Sequence, residues 1–63
     1  MRTIVREIRE QLGVSRYALI KRTGIGENHI TKIERNQVDP QIGTLAKIAR
    51  ALGVKISDLI EED

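Results

Sequence analysis

Apolar residues recur every three or four positions in five short stretches of the chain, which is the spacing of helices that bury one face. The first stretch predicts a helix whose buried side holds Ile4, Ile8 and Leu12. Thr3 precedes this helix as its N-cap, and Gly13 follows it as the residue that ends it. No stretch alternates apolar and polar residues, so the pattern predicts helices and no strand.

Two further short helices, joined by a tight turn, are predicted within residues 15–35. Ser15 caps the first of them. Gly24 provides the left-handed backbone conformation that the turn requires, because a β-branched residue would be strained there. Gly26 then caps the next helix, which begins at Glu27. Helices this short are not stable alone in water, so packing on the rest of the chain must stabilise them.

The C-terminal half of the chain predicts a longer helix and then a short fifth one. Asp39 before Pro40 is a suitable cap for the longer helix. Gly43 in its first turn is unfavourable in a helix interior, so either the helix begins later or its backbone needs close approach to another group, such as a phosphate. The longer helix buries Ile42, Leu45, Ile48, Ala49 and Leu52 and ends at Gly53, and the fifth contains Val54, Ile56, Leu59 and Ile60.

A chain of 63 residues has room for one domain, spanning 1–63, with a single small core. Ten isoleucines, one Tyr and no Phe or Trp make this core aliphatic. The chain lacks cysteine, and no apolar run approaches the length of a membrane span, so we expect a cytoplasmic protein without disulfides or thiolate metal sites. Since the sequence offers no nucleophile with its base, no paired carboxylates and no phosphate-binding glycine loop, we expect neither enzymatic activity nor a cofactor.

Charge is distributed unevenly along the chain. The first 57 residues hold all eleven Lys and Arg against five acids, whereas the last six residues hold four acids. A basic body of this kind suits a polyanionic partner, provided that the acidic end lies away from the contact surface. The acidic end is equally consistent with a solubilising tail.

The third predicted helix has an outward face suited to reading DNA. If Ile30 and Ile33 point inward, then Asn28, Thr31, Lys32 and Arg35 point outward. Such side chains hydrogen-bond base edges, and the cationic ones also contact phosphates. The alternative is a solvated polar face without a ligand.

The N-terminus of the second helix is a candidate phosphate site, because free N–H groups, the Ser15 hydroxyl and the Arg16 guanidinium meet there. The alternative for Ser15 is capping alone. Tyr17 either faces the phosphates or covers the core. His29, the only histidine, cannot form a metal site by itself and is either an inert surface residue or a pH-sensitive DNA contact.

The order and spacing of these residues resemble the helix-turn-helix domain of the Cro and phage-repressor type, also called XRE-like, over about residues 4 to 60. The resemblance implies an all-α fold, a compact bundle of about five short helices of the lambda-repressor kind. It also implies a structural ion pair between Arg9 and Glu34 that ties helix 3 to helix 1. The marks that carry it are Arg9, Gly13-Val14-Ser15, Leu19, Gly24-Ile25, Ile30, Ile33-Glu34-Arg35, Pro40, Leu45, Ala49, Leu52-Gly53-Val54 and Leu59.

The resemblance also implies which residues contact DNA. Asn28 is expected to bind adenine, Lys32 to reach guanine and Glu27 to accept from cytosine. The family's base-contacting positions fall on Gly26, Glu27, Asn28, His29, Thr31 and Lys32. Its phosphate-contacting positions fall on Ser15, Arg16, Arg35, Asn36, Gln41, Gly43 and Thr44. Lys55 departs from the family by replacing a common capping serine, so Ser57 and Asp58 must supply the first-turn polarity of helix 5.

The expected function is therefore sequence-specific binding of double-stranded DNA by a transcriptional regulator, a repressor, that inserts helix 3 into the major groove. We expect a homodimer on two half-sites, and the resemblance implies that Val54, Ile56 and Ile60 lie in the dimer interface. The alternative is a protein-interaction module, such as an antitoxin or a transcriptional adaptor.

Overall fold

Four α-helices, one 3₁₀-helix and a two-stranded ribbon make up residues 2–61, the part of the chain that the computed structural model describes. In chain order these are β1 (Arg2–Thr3), α1 (Val5–Gln11), α2 (Arg16–Thr23), α3 (Glu27–Glu34), α4 (Ile42–Leu52), the 3₁₀-helix (Ile56–Leu59) and β2 (Ile60–Glu61). The predominantly helical architecture was expected, but the strands were not. Within this part of the chain, no helix combines the length and apolar character that a membrane crossing requires.

The core is aliphatic and draws on every helix. Its buried members are Val5, Leu19, Ile30, Ile33, Leu45, Ile48, Ala49, Leu52 and Leu59. Two residues that were expected inside are exposed: Leu12 is 48% exposed and Ile42 is 68% exposed. Leu12 follows the last residue of α1, and Ile42 is the first residue of α4, so both lie at helix ends that extend beyond the core.

The two ends of the described chain pair as an antiparallel ribbon, which corrects the prediction of no strand. Thr3 does not cap α1 but lies in β1 opposite Ile60, and the next residue, Ile4, donates a 2.8 Å backbone hydrogen bond to the Leu59 carbonyl. Strands of two residues are too short to show an alternating pattern, and their partners lie at opposite ends of the sequence. Sequence periodicity therefore could not reveal them.

The predicted fifth helix is a single 3₁₀ turn followed by β2. The carboxylate of Asp58 accepts a 3.0 Å hydrogen bond from the backbone N–H of Lys55, so Asp58 supplies the first-turn polarity that Lys55 lacks. Ile60 leaves the turn and enters the strand. Tertiary pairing with β1 therefore replaces the last part of the expected helix.

The ends of α2 and α3 agree with the sequence predictions. The Ser15 hydroxyl oxygen accepts a 3.0 Å hydrogen bond from the backbone N–H of Ala18, and Gly24 ends α2 with a φ of 73°. Gly26 is the N-cap of α3, which begins at Glu27. The prediction that Asp39 caps α4 was wrong, because the helix begins later, with Gln41 as the N-cap.

Candidate nucleic-acid interface

The third helix separates buried and exposed residues sharply. Ile30 and Ile33 are fully buried, and they hold α3 against the core. Among the expected base-contacting residues, Thr31 is half-buried, and Gly26, Glu27, Asn28, His29 and Lys32 are exposed. The side chains equipped to reach base edges therefore lie on the surface of a helix that is anchored from behind.

The turn before α3 is held by its own hydrogen bonds. The Thr23 hydroxyl donates to the Leu19 carbonyl over 2.8 Å and accepts from the backbone N–H of Ile25 over 3.2 Å. Gly24 between them occupies the left-handed region, which a side chain disfavours. These contacts set the direction in which the chain enters α3.

A buried ion pair joins the end of α3 to α1. The Arg9 Nε atom donates to the Glu34 carboxylate over 2.7 Å, and Arg9 Nη1 donates to the Val14 carbonyl over 2.9 Å. The side chain of Glu34 is 2% exposed and that of Arg9 is 9% exposed. Because water is excluded, loss of either partner would leave an uncompensated charge, so the pair holds α3 in one position.

Glu34 has a second cationic neighbour that the sequence analysis did not identify. The Nε atom of Arg16, in the first turn of α2, lies 3.5 Å from Glu34 Oε1. The Arg16 side chain is 41% exposed, whereas its Nε atom is buried and has no hydrogen-bond partner among residues 2–61. One carboxylate therefore lies beside both the structural arginine of α1 and the candidate phosphate ligand of α2.

Asn36 makes structural contacts in addition to its expected place in a phosphate site. Its side-chain oxygen accepts a 2.8 Å hydrogen bond from the backbone N–H of Thr3, and its Nδ2 donates to the Thr3 carbonyl over 3.1 Å. The backbone of Asn36 has a φ of 56°, which Asn tolerates better than most residues. The side-chain amide thus pairs with both backbone groups of Thr3, as the backbone of a neighbouring strand would. Arg35, the preceding residue, is exposed.

The N-terminus of α4 presents backbone N–H groups without a side-chain cap. Gln41 and Gly43 are exposed and Thr44 is half-buried. Beyond its chain neighbours and its own helix backbone, no atom of residues 2–61 lies within 4 Å of a Cβ built on Gly43. Open space at an uncapped helix start leaves room for an anion to approach the backbone.

Tyr17 does not cover the core, because it is 69% exposed. The Lys21 ammonium lies 5.8 Å from the centre of its ring, close enough for a cation–π contact.

The expected dimer residues Val54, Ile56 and Ile60 are half-buried and pack against the core. Within residues 2–61, no three His, Cys, Asp or Glu side chains are grouped so as to bind a metal ion.

Comparison with known proteins identifies relatives over most of the chain. A protein named as an uncharacterized HTH-type transcriptional regulator of Methanothermobacter thermautotrophicus is 38% identical over 53 residues, 84% of this chain and 77% of that protein. The immunity repressor protein of Bacillus phage phi105 is 25% identical over 59 residues, 94% of this chain and 41% of that protein. The chain spans 26% to 33% of the length of several other curated relatives.

A solved structure shares the fold. The restriction-modification controller protein C.AhdI of Aeromonas hydrophila is similar with a TM-score of 0.82 and 27% identity, over 89% of this chain and 85% of that one. The family model described as helix-turn-helix matches residues 5–59, which contain all four α-helices. The chain belongs to this helix-turn-helix family, of the Cro and phage-repressor type that its sequence resembles.

Proposed function

We propose that the chain binds double-stranded DNA in a sequence-specific manner as a transcriptional regulator, with α3 in the major groove. The observation that carries this proposal is the exposed face of α3 on a helix anchored by Ile30, Ile33 and the buried Glu34. A helix that recognises bases in the major groove must be held firmly by the rest of the domain and must expose polar side chains, and α3 combines both features. Relatives named as transcriptional regulators support the same function.

Base recognition is assigned to the outward face of α3. Asn28 forms the bidentate contact to adenine, Lys32 donates to guanine and Glu27 accepts from cytosine. Gly26 offers its backbone N–H, and His29 and Thr31 lie beside these residues on the same helix. These side chains can reach base edges, so the residue type at each position determines which base is preferred opposite it.

Phosphate contacts are assigned to the residues around this helix. Arg16 and Ser15 at the start of α2 bind one phosphate, and Arg35 and Asn36 after α3 bind another. The uncapped start of α4 binds a third through the region of Gln41, Gly43 and Thr44. Contacts of this kind position the protein on any duplex and make the affinity depend on salt.

The regulator acts as a cytoplasmic homodimeric repressor in this proposal. One module of this size buries little DNA surface, so two copies on half-sites one helical turn apart increase both affinity and selectivity. Val54, Ile56 and Ile60 supply the dimer contact. A relative named an immunity repressor supports repression as the direction of control.

The experiment that tests this proposal is selection of bound duplexes from a random DNA pool at two salt concentrations. A two-fold-symmetric site should be enriched by the natural protein, and Asn28→Ala should lose the pattern at defined base pairs. Arg16→Ala should weaken binding to all duplexes alike. If the folded protein enriches no duplex, sequence-specific DNA binding fails, and binding to a protein partner becomes the better explanation.

A further inference from the structure

A concentration of positive charge outside the proposed DNA interface lies in a pocket between α2 and α4. The pocket has a volume of about 560 Å³ and is lined by Arg22, Thr23, Lys47, Arg50 and Ala51. It has three cationic side chains and no carboxylate in its lining, within the part of the chain that the structure describes. Because like charges that share a pocket repel one another, an anion bound there would lower the electrostatic free energy.

The arginines in this pocket differ from most other arginines of the described chain, because no carboxylate in this part of the chain lies close to them. Within residues 2–61, carboxylates lie within 4 Å of Arg2, Arg6, Arg9 and Arg16. The remaining arginines are Arg22, Arg35 and Arg50, and Arg35 belongs to the proposed phosphate contacts. The two others line the same pocket, so the arginines outside these acidic pairs are not scattered over the surface.

One pocket arginine is already oriented. Arg22 Nη1 donates a 3.1 Å hydrogen bond to the carbonyl of Ala51, which directs its guanidinium across the gap between the two helices. The other guanidinium N–H groups remain available as donors. Arg22 and Arg50 lie in the last turns of their helices, where backbone carbonyls favour cations. The backbone carbonyls of a last turn do not explain the position of Lys47, because Lys47 lies in the middle of α4.

The pocket lies away from the proposed phosphate sites at the starts of α2 and α4. Both helices place their N-termini toward the assigned phosphates, and Arg22 lies about 10 Å along α2 from Ser15 at the rise of an α-helix. Arg50 lies about 13 Å along α4 from Gln41 by the same rise. A phosphate of the duplex that binds the helix starts is therefore not expected to occupy this pocket.

We propose that this pocket, formed by Arg22, Lys47 and Arg50, is a binding site for a small anion that carries phosphate groups or several carboxylates. Its volume falls within the range of small-molecule sites. Guanidinium groups bind such oxyanions through paired donors, and an ammonium adds a compact charge. The proposal goes beyond DNA binding and gives the domain a second, separate ligand.

The test is an NMR titration of the ¹⁵N-labelled protein with pyrophosphate and, separately, with citrate. Saturable shifts are expected at the amides of Arg22, Lys47, Arg50 and Ala51. Lys47→Gln and Arg50→Gln should each weaken binding by about three- to tenfold, since each removes a charge-assisted contact at a partly solvated site. Lys55→Gln is the matched control, because it removes the same charge from an exposed lysine outside both the pocket lining and the proposed DNA contacts, and it should leave the anion affinity unchanged.

Three results would overturn the proposal. The first is equal weakening by Lys47→Gln and Lys55→Gln, which would indicate only a general attraction to a basic protein. The second is a set of shifts centred on the starts of α2 and α4, which would place the anion in the phosphate sites. The third is displacement of the bound anion by a short duplex at equal ionic strength, since the pocket would then be part of the DNA interface.

Discussion

The Nε atom of Arg16 lies 3.5 Å from the Glu34 carboxylate, which also accepts the 2.7 Å hydrogen bond from Arg9. The start of α2, the end of α3 and the last turn of α1 therefore meet at one buried acid. Glu34 compensates the charge of Arg9 and also limits where the half-exposed guanidinium of Arg16 can lie. The angle between the two helices of the motif is thereby coupled to the position of a candidate phosphate ligand.

Replacement of the buried acid should destabilise the protein. We expect Glu34→Gln to lower the free energy of unfolding by about 3 kcal/mol, because it leaves the Arg9 cation buried without its counter-charge. Urea denaturation followed by circular dichroism measures the change. Glu10→Gln is the matched control: Glu10 forms an exposed pair with Arg6 at 3.6 Å, and its loss should cost under about 0.5 kcal/mol. Equal effects would contradict a structural role for Glu34.

Removal of the Arg16 side chain should affect DNA binding more than folding. Arg16→Ala leaves the Arg9–Glu34 pair in place, so we expect a small change in stability. The affinity for every duplex should fall, and the slope of log affinity against log salt should decrease by about 1 as one phosphate contact is lost. Fluorescence anisotropy across a salt series measures both. Arg6→Ala, on the exposed side of α1, should leave the slope unchanged, and a sequence-dependent loss for Arg16→Ala would contradict a phosphate contact.

Gly43 is the second residue of α4, so the helix does not begin after it, and the other explanation, close approach to a phosphate, can be tested. Its φ is not in the left-handed region, and beyond its chain neighbours and its own helix backbone an added Cβ would meet no atom of residues 2–61 within 4 Å, so Gly43→Ala should stabilise the protein by about 0.5–1 kcal/mol. If the backbone approaches a phosphate closely, the same change should weaken DNA binding. Gly24→Ala is the contrast, because its φ of 73° makes a side chain costly. Stabilisation of Gly43→Ala with unchanged DNA affinity would exclude close approach at this residue.

The contact of Asn36 with Thr3 should contribute to stability through two separable effects. Asn36→Gly keeps the left-handed backbone accessible but removes the hydrogen bonds to Thr3, and we expect a loss of about 1 kcal/mol. Asn36→Ala removes the same bonds and adds backbone strain, so its loss should be about 2 kcal/mol. Thermal and urea denaturation measure both. A smaller loss for Ala than for Gly would contradict the assignment of strain to the φ of 56°.

Local patterns in the sequence were enough to predict α2, α3 and the turn between them. Ser15, Gly24 and Gly26 predicted those ends because capping and left-handed backbone are decided within a few residues. The inward direction of Ile30 and Ile33 followed from helical periodicity. The same reasoning misplaced the cap of α4, because Asp39 is a favourable cap by type but the helix begins at Ile42 with Gln41 as its N-cap.

The sequence by itself determined the helices, the aliphatic core and the outward face of α3, because these depend on residue type and on contacts within one or two helical turns. Only the tertiary structure decided that Thr3 pairs with Ile60, that Asn36 binds β1, and that Arg16 lies beside Glu34. It also brought Arg22 of α2 against Ala51 of α4. The physical reason is distance along the chain, because these contacts join residues that become neighbours only after the helices have packed. Sequence patterns within one or two helical turns do not specify contacts of this kind.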